Sequence, residues 1–75
     1  MGKPKVLELT EIERLALEKG FRLGEKHCFR MRCRAVLLKA EGLSSAAAGA
    51  QTEMSLVSVN AWGKRFKSEG IAGLH

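Results

Sequence analysis

The stretch LSSAAAGAQTEMSLVSVNAWGKRFK, residues 43–67, constrains the fold more than any other part of the chain, because it reads as two short helices joined by a tight turn. In the second helix Val59, Trp62 and Phe66 recur at helical spacing and form an apolar stripe. At roughly 100° per residue, that stripe turns Val57, Asn60, Ala61 and Lys64 to the opposite face. This is the pattern of a helix-turn-helix. Two helices that cross closely need a small residue at the crossing, and Gly49 supplies it. Ala46, Ala47, Ala48 and Ala50 around it favour helix without adding bulk. Ser44 is placed to cap the first helix and Ser55 the second, with Met54 as the buried apolar residue of the turn. Glu53 falls where such turns adopt a left-handed backbone, a position usually held by glycine, at a cost of about 1 kcal/mol.

Upstream, the chain alternates helical segments with breaks. Thr10 opens a first helix and Glu13 completes a capping box. Ile12, Leu15 and Ala16 are expected as its buried stripe, with Gly20 as its end and residues 21–24 as a turn. A second helix is predicted over about residues 25–41, closed by Gly42. Its apolar residues Cys28, Met31, Ala35 and Leu38 lie on one side and Phe29, Cys33, Val36, Leu37 and Ala40 on the other. A helix apolar over so wide an arc has to be the central scaffold. Lys26, Arg30 and Arg34 share a strip expected to face solvent or phosphate.

The fold class that follows is all-α: a small helical domain of about four helices containing a helix-turn-helix, homeodomain-like in type. Residues 1–9 are expected to be a flexible or extended N-terminal segment, with residues 6–9 as a strap. Residues 10–69 are expected to form one helical domain, DNA-binding if the charge distribution suits it, with the helix-turn-helix at 44–68, and residues 70–75 are expected to begin a linker. At 75 residues the chain affords one small core.

The formal charge of +5 is unevenly distributed. Lys19, Arg22, Lys26, Arg30, Arg32, Arg34 and Lys39 crowd residues 19–39, opposed there only by Glu25. Lys64, Arg65 and Lys67 form a second basic group, whereas Glu8, Glu11, Glu13 and Glu18 collect near the N-terminus. A basic run alone is equally consistent with a solvated helix face. Together with the helix-turn-helix pattern it points to a polyanion partner, double-stranded DNA.

The base-reading candidates are Ser55, Val57, Asn60, Ala61 and Lys64. Asparagine on the exposed face of such a helix pairs with an adenine edge, and Val57 and Ala61 can touch thymine methyl groups. Lys64 and Arg65 lie deeper along the helix, where phosphate contact becomes the better reading. The phosphate-binding candidates are Ser44, Ser45, Arg30, Arg34, Arg65 and Lys67. Trp62 is able to stack on a base, but its place in the 59, 62, 66 stripe favours core packing. His27 and His75 show no partner pattern.

Cys28 and Cys33 are separated by roughly 140° around one helix, which forbids a bridge between them. Their spacing with His27 lacks the paired ligands of tetrahedral zinc, so both are read as small, buried or half-buried apolar residues. Free cysteines point to the reducing cytoplasm. No metal, cofactor, small-molecule substrate or membrane partner is expected, and no signal peptide or apolar run of membrane length is visible. No clustered acids, nucleophile–base pair or glycine-rich phosphate loop is present, so no catalytic residue is assigned.

Residues 41–74, EGLSSAAAGAQTEMSLVSVNAWGKRFKSEGIAGL, resemble the N-terminal DNA-binding segment of bacterial insertion-sequence transposases related to the mariner group. The resemblance rests on Glu41-Gly42-Leu43-Ser44, Val59, Trp62, Lys64-Arg65-Phe66, Gly70 and Gly73-Leu74, and FRMRCRAVLLKA upstream is similar to that family's preceding helix. Glu53 and Gly49 depart from the commonest residues at their positions. The resemblance implies recognition of terminal inverted repeats by the N-terminal part, or a relic, of a transposase. The metal-binding acidic residues of that family's catalytic domain would lie beyond His75. Two other readings use the same residues: a small transcriptional regulator on an operator, and a protein-interaction or homodimerisation module built on exposed Leu56, Val57 and Ala61.

Overall fold

The computed structural model describes residues 8–74, and among them the architecture is all-α. Four helices, α1 (Glu11–Leu23), α2 (His27–Ala40), α3 (Ser45–Thr52) and α4 (Leu56–Glu69), are followed by a 3-10 helix, Gly70–Leu74. Residues 1–7 and 75, and with them most of the expected N-terminal segment, lie outside the described residues.

Local capping chemistry sets three of the four helix starts. The Thr10 hydroxyl accepts from the Glu13 N–H at 3.1 Å while the Glu13 carboxylate accepts from the Thr10 N–H at 2.9 Å, a closed capping box. Ser44 accepts from the Ala47 N–H and Ser55 from the Ser58 N–H, each at 3.1 Å. Each oxygen satisfies an amide that the first turn leaves without a carbonyl. Lys26, at the start of α2, makes no side-chain cap.

α2 is the scaffold, as its broad apolar surface predicts. Phe29, Cys33 and Val36 join Leu17 of α1, Phe66 of α4 and Leu74 in one buried cluster. Ala35 and Leu38 join Ala48 of α3 and Val59 of α4 in a second. The α4 stripe is thereby divided between the two, with half-buried Trp62 packed against the first. Leu9 also packs there, so the end of the N-terminal segment is held against the core.

The expected face of α1 is wrong. Ile12 is 80% and Leu15 54% exposed; the fully buried residue is Leu17, and Ala16 is half-buried. What sets the rotation of α1 is close approach to α2. A Cβ on Gly20 would stand 2.8 Å from the Cys33 sulfur and 3.2 Å from the Phe29 ring, so the helix turns its glycine inward and leaves larger aliphatic side chains outside. Gly20 is accordingly an interior residue and not the helix end. α1 continues through Leu23 and is capped by Gly24, whose N–H donates to the Gly20 carbonyl at 2.9 Å.

The expected linker is also corrected. Residues 70–74 fold back as a 3-10 helix, and Leu74 and Gly73 are buried. Gly70 makes the reversal with φ of 72°, a backbone that costs other residues strain. The i, i+3 spacing of Ile71 and Leu74 then puts both against the first cluster. The Leu74 carbonyl accepts from the Arg32 guanidinium at 3.1 Å.

Cys33 is buried, as expected, but Cys28 is exposed and belongs to neither cluster. Both thiols are free. Burial raises the Cys33 pKa from 9.0 to about 11, so the thiol stays protonated in the fold. Because the folded value lies above the unfolded one, its contribution to stability is complete below about pH 9 and is lost as pH rises toward 11. Alkylation of the native protein near pH 8 is expected to modify Cys28 and spare Cys33 until urea is added. Equal rates at the two positions, read by mass spectrometry, would mean that the α1–α2 contact opens freely.

Candidate nucleic-acid interface

The turn between α3 and α4 is built by two backbone requirements. Glu53 takes the left-handed conformation, φ 58° and ψ 34°, and its N–H donates to the Gly49 carbonyl. The Met54 N–H donates to the same carbonyl at 2.9 Å. This left-handed cap ends α3 and redirects the chain into α4 within three residues. A Cβ on Gly49 would come within 2.5 Å of the Met54 carbonyl oxygen, so the turn closes over a space that only glycine leaves. Met54 is half-buried and packs on the second cluster, and the buried Thr52 hydroxyl donates to the Ala48 carbonyl at 2.8 Å.

With Val59 and Phe66 facing inward, α4 turns Val57, Asn60, Ala61 and Lys64 to solvent, and Val57 is 72% exposed. Leu56 and Ser68 are exposed too, and Ser68, which continues the Val57–Ala61–Lys64 line by one further turn, was not singled out from the sequence. Ser55 is exposed, but its hydroxyl is engaged at the helix start, accepting from the Ser58 N–H and contacting the Ser58 hydroxyl at 3.1 Å.

The expected phosphate ligands separate into four groups. Ser44 is exposed and caps α3. Ser45 is a correction: it is 9% exposed, and its hydroxyl accepts from Lys39 Nζ at 3.0 Å and donates to Asn60 Oδ1. It turns inward because Lys39 and Asn60 bracket it. Arg30 and Arg34 are half-buried around Phe21 instead of extending freely from the surface. Arg30 Nε donates to the Phe21 carbonyl at 2.9 Å; Arg34 lies 5.1 Å from the Phe21 ring centre and donates to Gln51 at 3.2 Å. Arg65 pairs with Glu69 at 3.3 Å, and Lys67 donates to the Glu8 carbonyl at 2.9 Å.

Two residues matter here that sequence reasoning passed over. Lys39 was visible only as one member of a basic run; the loop containing Gly42, at φ 101°, carries the chain from the end of α2 into α3, where Ser45 meets it. Arg32 stacks on Trp62, its guanidinium carbon 4.1 Å from the ring centre, and holds the Leu74 carbonyl. A cation on an indole face is attractive and helps to seal the half-buried ring.

No protein-family model, curated protein or solved structure matches this chain. Among the described residues no helix is long and apolar enough to cross a membrane.

The turn geometry predicts opposite effects for two substitutions. Gly49→Ala is expected to destabilise the fold by about 1–3 kcal/mol, because the added methyl meets a backbone oxygen that cannot move without reshaping the turn. Glu53→Gly is expected to stabilise it by about 0.5–1 kcal/mol, relief of the left-handed strain exceeding the entropy that glycine adds to the unfolded chain. Urea unfolding monitored by Trp62 fluorescence measures both, and a stabilised Gly49→Ala protein would contradict the described crossing.

Proposed function

We propose that this domain binds double-stranded DNA sequence-specifically, with α4 entering the major groove. The observation that carries the reading is the exposed face of α4, where Val57, Asn60, Ala61 and Lys64 stand together on a helix held from behind by α3 and two buried clusters. A rigidly backed helix offering one amide, one cation and two small apolar groups has the chemistry of base-edge recognition. The formal charge of +5 supplies attraction to the phosphates. Lys64 is the cation on that face and lies further along the helix than Asn60, where it meets a phosphate and not a base edge. Arg65 and Lys67, partly satisfied by Glu69 and Glu8, contribute less, and Arg30 and Arg34 form a flank around Phe21.

The resemblance of residues 41–74 to insertion-sequence transposases makes a terminal inverted repeat the duplex to try first. In that setting the chain is the DNA-recognition part of a transposase and acts without catalysis of its own, in the cytoplasm. A transcriptional regulator would present the same face to an operator. The exposure of Leu56 and Val57 favours a second reading, docking of another helix, and salt separates the two. DNA binding weakens steeply as salt rises, whereas an apolar interface responds little.

Titration of an element-end duplex and a scrambled duplex at two salt concentrations tests the proposal. Lys64→Ala is expected to weaken binding to both duplexes alike and to flatten the salt slope, since a phosphate contact carries no sequence information. Asn60→Ala is expected to cost about 1–3 kcal/mol on the preferred duplex and almost nothing on the scrambled one. Equal losses on both duplexes for Asn60→Ala would remove direct readout by α4, and binding indifferent to salt would favour the protein-docking reading.

A further inference from the structure

The sequence marks Ile12, Leu15 and Ala16 of α1 as an apolar stripe, and the fold leaves most of that stripe uncovered. Ile12 is 80%, Leu15 54% and Leu23 70% exposed, and these are three of the five large hydrophobic residues exposed among the described residues. Scattered singly, they would need no explanation. At about 100° per residue, however, Ile12, Leu15, Ala16, Lys19 and Leu23 fall within an arc of roughly 100°, on the side of α1 away from buried Leu17. The stripe runs the length of the helix. Beside its C-terminal end lies an open groove lined by Gly20, Leu23, Gly24, Phe29 and Ile71.

The charges beside the stripe change sign along the helix. On the flank next to Leu15, exposed Glu11 stands at the N-terminal end and exposed Arg22 at the C-terminal end. Turned end for end, this surface matches itself. In an antiparallel pair related by a two-fold axis at the middle of α1, Ile12 of each copy meets Leu23 of the other, and the small side chain of Ala16 lets the helices approach at the centre. That axis keeps like flanks together, so Glu11 of each copy faces Arg22 of the other. A parallel pair would instead set glutamate against glutamate and arginine against arginine. Glu11 already pairs with Arg14 at 3.1 Å, but on an exposed surface such a pair contributes little, and a carboxylate has room for a second donor. Lys19 is the one charge on the stripe, and its aliphatic stem can cover apolar surface while the ammonium reaches outward.

We propose that the outer face of α1 is a self-association surface whose occupant is α1 of a second copy of this chain, packed antiparallel. Ile12 of the second copy then lies beside Leu23, at the edge of the groove that Leu23 borders. A single pair of 13-residue helices covers less than the roughly 1,200 Å² of a standard interface, so the association is weak and reversible. The surface is separate from the exposed Leu56 and Val57 of α4. α1 packs along α2 and the 3-10 helix and not along α3 or α4, and its stripe shares no residue with the outer face of α4. Both copies therefore keep that face, and the two faces are related by the same two-fold axis.

Sedimentation equilibrium of the full chain without DNA, from micromolar to millimolar concentration, tests the proposal. The wild type is expected to pass from monomer to dimer and no further, since a two-fold contact closes on itself. Leu15→Glu is expected to weaken the dimer at least about tenfold, because it buries a carboxylate in an apolar seam, with helix content unchanged by circular dichroism. Charge exchange decides the matter independently of that variant's folding. Glu11→Arg and Arg22→Glu are each expected to weaken association by about fivefold, each striking two symmetry-related pairs, whereas an equimolar mixture of the two recovers it, because each variant then supplies the charge the other lacks. A parallel arrangement predicts no loss in the single variants. A wild type that stays monomeric at every concentration overturns the proposal, whether the stripe is bare, takes another protein or is covered by residues 1–7. A dimer indifferent to Leu15→Glu but abolished by Val57→Glu would place the contact on α4 and overturn it as well.

Discussion

The structure depends on the burial of α2 from two sides at once. One side receives Leu17, Phe66 and Leu74; the other receives Ala48 and Val59. Neither cluster is large, and a domain of this size has little apolar surface to spare. Joined through one helix, the two clusters become a continuous support that ties α1 to α3, α4 and the 3-10 helix. The division of the α4 stripe, with Val59 in one cluster and Phe66 in the other, is what prevents α4 from rotating about its own axis. A helix gripped at two levels presents a defined outer face, and the Asn60–Lys64 surface owes its definition to that grip.

Polar chemistry is arranged around this support instead of within it. Among the described residues no buried side-chain nitrogen or oxygen lacks a hydrogen-bond partner. Arg32 lies across Trp62 and reaches the Leu74 carbonyl, so a guanidinium closes the gap where α2, α4 and the 3-10 helix meet. Arg30 and Arg34 close the corresponding edge against Phe21. These arginines show why charge counted along a sequence overstates the cations available to a polyanion. Part of their hydrogen-bonding capacity is already used to finish the fold, and their aliphatic stems cover apolar surface. On the outer face of α4 the exposed cation is Lys64, and Lys39 at its edge is engaged with Ser45.

Much of the helix-turn-helix was legible because each of its demands is local. Serine oxygens capping amides three residues away, a left-handed Glu53 and the inward stripe of α4 depend on neighbours in sequence, and they appear at the residues where the pattern places them. The exposed residues of α4 follow from the same helical period. The reading of α1 failed for the opposite reason. Counting Ile12 and Leu15 as core assumes that the most apolar side chains choose the face, whereas the decision was made by Gly20 and Gly24, whose lack of a side chain lets α2 come close. Nothing in the local sequence marks a glycine as a contact surface rather than a helix end.

The chain by itself therefore determined where α1, α3 and α4 begin, the turn between α3 and α4, the central place of α2 and the outward face of α4, since capping, helical period and backbone strain act over a few residues. Only the tertiary structure decided the rotation of α1, the return of residues 70–74 into the core, the exposure of Cys28 and the enclosure of Ser45 between Lys39 and Asn60. Each of these depends on groups far apart in sequence, whose meeting is set by how closely two helices approach and which hydrogen-bond donor then finds which acceptor.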